Sequence, residues 1–107
     1  MSNSENDRLS QLKNLLESDP NDAFCMYGIA MEFAKAGHHE EAIAWFDQTI
    51  ETDPSYCYAW LHKARCQNGS GDFVGASTTL QEGIKQAKSL GDQHAADEMN
   101  GLLQSIQ

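Results

Sequence analysis

Residues 23–56 read AFCMYGIAMEFAKAGHHEEAIAWFDQTIETDPSY, and residues 57–90 read CYAWLHKARCQNGSGDFVGASTTLQEGIKQAKSL. Laid over each other at an offset of 34 residues, they bring Ala30 onto Ala64, Gly37 onto Gly71 and Ala42 onto Ala76. The same offset works upstream: Glu17 falls on Glu51, Asp19-Pro20 on Asp53-Pro54, and Leu16 on Ile50, which falls on Ile84. Small, apolar and turn positions recur at one common spacing, which marks an internal repeat.

The stretches between these markers have helical periodicity. Ala23, Met26, Ile29, Ala30, Phe33 and Ala34 follow 3-4 spacing, which predicts a helix over 23–35 that Gly37 stops. Ala42, Ile43, Phe46 and Ile50 predict a second over 40–51, ended ahead of Pro54. Trp60, Leu61 and Ala64 predict a third over 56–68. After Gly69-Ser70-Gly71, Asp72 is placed to cap a fourth running to about Leu90, with Phe73, Ala76, Leu80 and Ile84 facing inward.

With those residues in place, the two units resemble tetratricopeptide repeats, a helix-turn-helix family with a 34-residue period. Ala30, Gly37, Ala42, Phe46 and Pro54 stand at the family's marker positions in the first unit. Trp60, Ala64, Gly71, Phe73, Ala76 and Leu80 stand there in the second. The departures are Met26 in place of the family's Trp, Thr49 and Gly83 in place of Ala, and Lys88 in place of the closing Pro.

The ends extend the scheme. Leu9, Leu12, Leu15 and Leu16 predict a helix over 4–18, like the second half of a repeat. From Gly91-Asp92 onward, Ala95, Met99, Leu102, Leu103 and Ile106 form the apolar stripe of a last, capping helix over 91–107. The expected fold class is therefore all-α: one domain, residues 1–107, with about six helices as antiparallel pairs. Its units are a half-repeat, repeats at 23–56 and 57–90, and a cap. The resemblance implies that these coil into a right-handed solenoid.

Composition narrows function. The net charge is −9, from 16 acidic and 7 basic side chains. Neutralising phosphates takes Lys and Arg, so nucleic acid is not an expected partner, nor is an anionic membrane. The net charge suits a neutral or basic protein partner. With no apolar stretch of bilayer length and no signal-peptide core, the chain is expected to be cytoplasmic. The three cysteines, Cys25, Cys57 and Cys66, have no metal-type spacing and are expected to be small buried hydrophobes.

No catalytic chemistry is legible. There is no nucleophile motif and no phosphate-cradling glycine loop, so the chain is not expected to be an enzyme or to hold a cofactor. His38-His39 is the one metal-like feature, but adjacent helical side chains point about 100° apart, so no metal site is expected.

The resemblance instead implies protein binding. In this family the first helix of each repeat lines a concave groove that receives a peptide or helix. Carried over residue by residue, that groove comprises Phe24, Tyr27, Met31 and Lys35, then Tyr58, Leu61, His62, Arg65 and Asn68. Aromatic residues beside an arginine are what binding surfaces tend to use. The family's carboxylate clamp needs Lys then Asn on the first groove helix, where Tyr27 and Met31 stand, so a chaperone-tail clamp is not expected. The alternative is self-association into a homo-oligomer through an apolar edge at Leu9, Leu12 and Leu16.

Overall fold

A computed structural model describes residues 4–106, with side chains from Asp7 onward. Six helices follow in order: α1 (Ser4–Ser18), α2 (Ala23–Lys35), α3 (His39–Thr52), α4 (Cys57–Gly69), α5 (Phe73–Ser89) and α6 (Gln93–Ile106). The outermost residues of the expected domain, 1–3 and 107, lie outside the described part.

Local chemistry sets the boundaries. Asp22, Asp72 and Asp92 each precede a helix and accept a backbone N–H three residues on, from Cys25 at 3.2 Å, Gly75 at 2.9 Å and Ala95 at 3.1 Å. Helices end at Gly37 and Gly71, with φ of +80° and +90°. Just beyond, the N–H of His38 donates to the Phe33 carbonyl and that of Asp72 to the Gln67 carbonyl, at 3.0 and 2.8 Å. This closing bond needs the left-handed residue that glycine supplies. Lys88, in place of a proline, lets α5 continue to Ser89 before Gly91 turns the chain.

Each helix packs on the next in sequence, giving an all-α helical solenoid. Small residues let the helices approach: Ala30, Ala42, Ala59, Ala64 and Ala76 are fully buried. Phe46 fills the core between α2, α3 and α4, whereas Leu61, Leu80, Ile84 and Met99 fill that between α4, α5 and α6. Replacing an aromatic core residue such as Phe46 with alanine ordinarily costs about 3–5 kcal/mol. The family departures are accommodated. The buried Thr49 hydroxyl donates to the Trp45 carbonyl at 2.8 Å. At Gly83, an added Cβ would lie 2.8 Å from the Cβ of Trp60.

The half-repeat helix α1 is tied down on α2. Leu12 is buried over Gly28, whose missing side chain leaves the space Leu12 fills. The Glu32 carboxylate, only 6% exposed, takes Arg8 of α1 at 3.4 Å and Lys35 at 3.1 Å. Leu12 is therefore not part of an open apolar edge. Phe73, expected to face inward, is instead 57% exposed. It is the first residue of α5, next to Val74, which is exposed as well.

Candidate functional site

The curvature identifies the inner surface. Helix α2 touches α4, and α4 touches α6, whereas among the described residues α1, α3 and α5 do not touch one another. The first helices of successive pairs thus form the crowded, concave side. Helix α6 takes the place of a further first helix there, packing on both α5 and α4. It extends the wall and does not reach α2.

Aromatic rings cluster on this side. The Tyr27 ring lies 4.7 Å from Tyr56 and 5.9 Å from both His62 and Phe46. His62 stacks on Phe46 at 6.1 Å. Tyr58 faces His94 of α6 at 6.4 Å. Phe24, at the start of α2, is 62% exposed. The half-buried rings are held by one another, while Phe24 offers free apolar area.

Electrostatics show that three helices share this surface. Burial, then the charge of Arg65, pulls the His62 imidazole below its ordinary value, with Glu98 of α6 opposing. Burial pushes the Tyr27 phenol up, helped by Tyr56 and Tyr58 and opposed by Arg65. Both effects favour the neutral form. Arg65 itself is exposed and makes no ion pair among the described residues. Lys35 is engaged with Glu32, and Lys63 with Asp47 at 2.6 Å.

The net charge of −9 is unevenly spread over this face: α6 brings Asp97 and Glu98 with no Lys or Arg, whereas α2 and α4 are net basic. Helices α2 and α4 together contain a single acidic residue, the buried and paired Glu32, against Lys35, Lys63 and Arg65.

Of the nine expected groove residues, Phe24, Tyr27, Met31, Lys35, Tyr58, His62, Arg65 and Asn68 keep exposed or partly exposed side chains. Leu61 is a correction. It is only 2% exposed, sealed into the core that α5 and α6 build. Tyr56 and His94 are not among the expected groove residues, though their rings lie tilted against Tyr27 and Tyr58 of that set. His94 precedes the apolar stripe of α6, and only the packing of α6 on α4 brings it to Tyr58.

The other chemistry-bearing residues separate. The His38 ring lies 6.2 Å from Phe33. The His39 ring lies beneath Gly69, where an added Cβ would fall 3.0 Å from its Cε1. Cys25, Cys57 and Cys66 are buried, and desolvation raises all three thiols, the unreactive direction.

No family model matches the chain. A TPR repeat-containing protein of Pseudomonas aeruginosa, PA0015, is 26% identical over 95 residues, covering 89% of this chain and 90% of the relative. A tetratricopeptide repeat domain protein from Salinibacter ruber superposes with a TM-score of 0.76 at 28% identity, covering 83% of this chain and 90% of the other. PcrH, solved in complex with the chaperone binding region of PopD, superposes with a TM-score of 0.88 at 19% identity. That match covers 95% of this chain and 77% of PcrH.

Proposed function

The chain has the tetratricopeptide-repeat fold, and we propose that it is a protein-interaction module that receives a peptide or helix in the concave groove of α2, α4 and α6. The observation that carries this reading is the coincidence on one face of exposed Phe24, an aromatic cluster around Tyr27, and an arginine with no internal partner. PcrH, of like fold, is known in complex with a segment of another protein, which supports the reading.

The partner segment presents an apolar side chain to the aromatic half of the groove and a carboxylate to Arg65. A charge-assisted bond to an arginine fork is directional and stronger than a neutral one. The bond also relieves nothing internal, since Arg65 gives up no existing ion pair. The expectation of a neutral or basic partner rested on net charge. The local charge of α2 and α4 favours an acidic group at Arg65, while Asp97 and Glu98 leave the α6 wall suited to a neutral or basic one. No step here calls for catalysis.

Capture from a lysate of the source cells tests the reading. Wild type is compared with Phe24→Ala combined with Arg65→Glu, two exposed positions whose change leaves the core intact. The account predicts a protein retained by the wild type and lost by the variant. Equal capture by both would remove the groove from consideration.

A further inference from the structure

A second recess lies on the opposite, convex side. It is a cleft of about 380 Å³ between α1 and α3, lined by Leu16, Pro20, Met26, Ala44, Trp45 and Gln48. A shallower lobe of about 330 Å³ continues it along α1, past Lys13 and Glu17. Its origin is legible in the repeat. One period on from Met26 stands the larger Trp60, whose indole N–H reaches across to the Pro54 carbonyl at 3.4 Å. Pro54 is itself the counterpart of Pro20. In the first repeat the slimmer Met26 leaves the space open, and Trp45 forms one wall. The Trp45 indole N–H has no hydrogen-bond partner among the described residues.

The rim is acidic on balance. Glu17 stands on the α1 side. On α3, Glu41, Ala44, Gln48 and Glu51 form one exposed stripe at 3-4-3 spacing, which puts a carboxylate at either end of the apolar floor. The one base at the cleft, Lys13, has its ammonium 5.7 Å from the centroid of the Phe33 ring.

From this geometry we propose that the α1–α3 cleft is a second docking site, taking a basic segment of a partner protein. One apolar side chain of the segment enters between Leu16 and Ala44 onto Met26. Its Lys or Arg groups meet Glu17, Glu41 and Glu51, and a cation reaches the face of Trp45. Apolar burial supplies affinity, and the carboxylates select the sign of the partner. The site stands independently of the concave groove: its residues are on α1, α3 and the turn between α1 and α2, apart from the buried Met26 of α2, and none of them is a groove residue.

The test uses two blocked hexapeptides, Lys-Lys-Leu-Leu-Lys-Lys and Glu-Glu-Leu-Leu-Glu-Glu, titrated into the whole chain. The indole N–H signals of Trp45 and Trp60 are followed by NMR and assigned with Trp45→Phe. The basic peptide is expected to shift the Trp45 signal saturably and to leave that of Trp60 in place. Glu17→Gln with Glu41→Gln should weaken binding about fivefold, the effect of two exposed ion pairs. Ala44→Phe, which fills the cleft from an exposed position, should abolish the shift while the Trp60 signal reports an intact fold. Equal response to both peptides, or no saturable shift with either, would overturn the proposal. So would a Trp45 signal that moves with protein concentration alone, which would assign the cleft to a second copy of the chain. None of these results bears on capture through Phe24 and Arg65.

Discussion

Two glycines inside helices show how differently one residue type is used. Gly83 of α5 faces the core: a Cβ there would lie 2.6 Å from the Met99 sulfur and 2.8 Å from the Trp60 Cβ. Methionine can yield, but the Trp60 Cβ is fixed to its backbone. Gly101 of α6 is exposed and would meet nothing within 4 Å. Gly83→Ala should therefore destabilise the fold by about 1–3 kcal/mol. Gly101→Ala should stabilise it by about 0.5–1 kcal/mol, because a mid-helix glycine costs backbone entropy. Urea denaturation of the two variants checks both signs. The departure of Gly83 from the family's alanine thus has a steric reason. Residue by residue, burial departs from the sequence reading at Phe73, expected inside and exposed, and at Leu61, expected in the groove and buried. Leu61 occupies the same repeat position as Tyr27, yet α6 closes over it, and that contact is long-range. Trp45 was passed over, although the missing tryptophan at position 26 was the signal that a space would open beside it.

At the scale of the element, helix existence and type were written in the repeat, because turn glycines, capping aspartates and apolar spacing all recur together. Ends moved by only a residue or two, as at α3, which begins at His39. What could not be read was how firmly a half-repeat would be held. Among the described residues, helix α1 packs against α2 and no other helix. Its attachment rests largely on Leu12 over Gly28 and on Arg8 at Glu32. Leu12→Ala should cost about 2–4 kcal/mol and act locally. Hydrogen exchange is expected to quicken across α1 while the amides of α4 and α5 keep their protection. Uniform loss of protection would mean that α1 is part of one indivisible cooperative unit.

For the whole molecule, the sorting of charge by helix is not legible along the chain. Acidic residues gather on α1, α3 and the connecting turns, and the two helices that begin the concave surface carry almost none. This sorting appears only when helices are assigned to the inner or outer side, a property of curvature and not of any segment. The two proposed sites use it oppositely, with a carboxylate for Arg65 and basic groups for the α1–α3 cleft. Whether a partner sits on the concave face is read out by site-specific photocrosslinking in the source cells. A photoreactive side chain is placed in turn at Phe24, at Arg65 and, as an exposed position on α5 away from both recesses, at Lys85. The account predicts one partner crosslinked from positions 24 and 65 and not from 85. Crosslinking from 85 alone, or equally from all three, would contradict it.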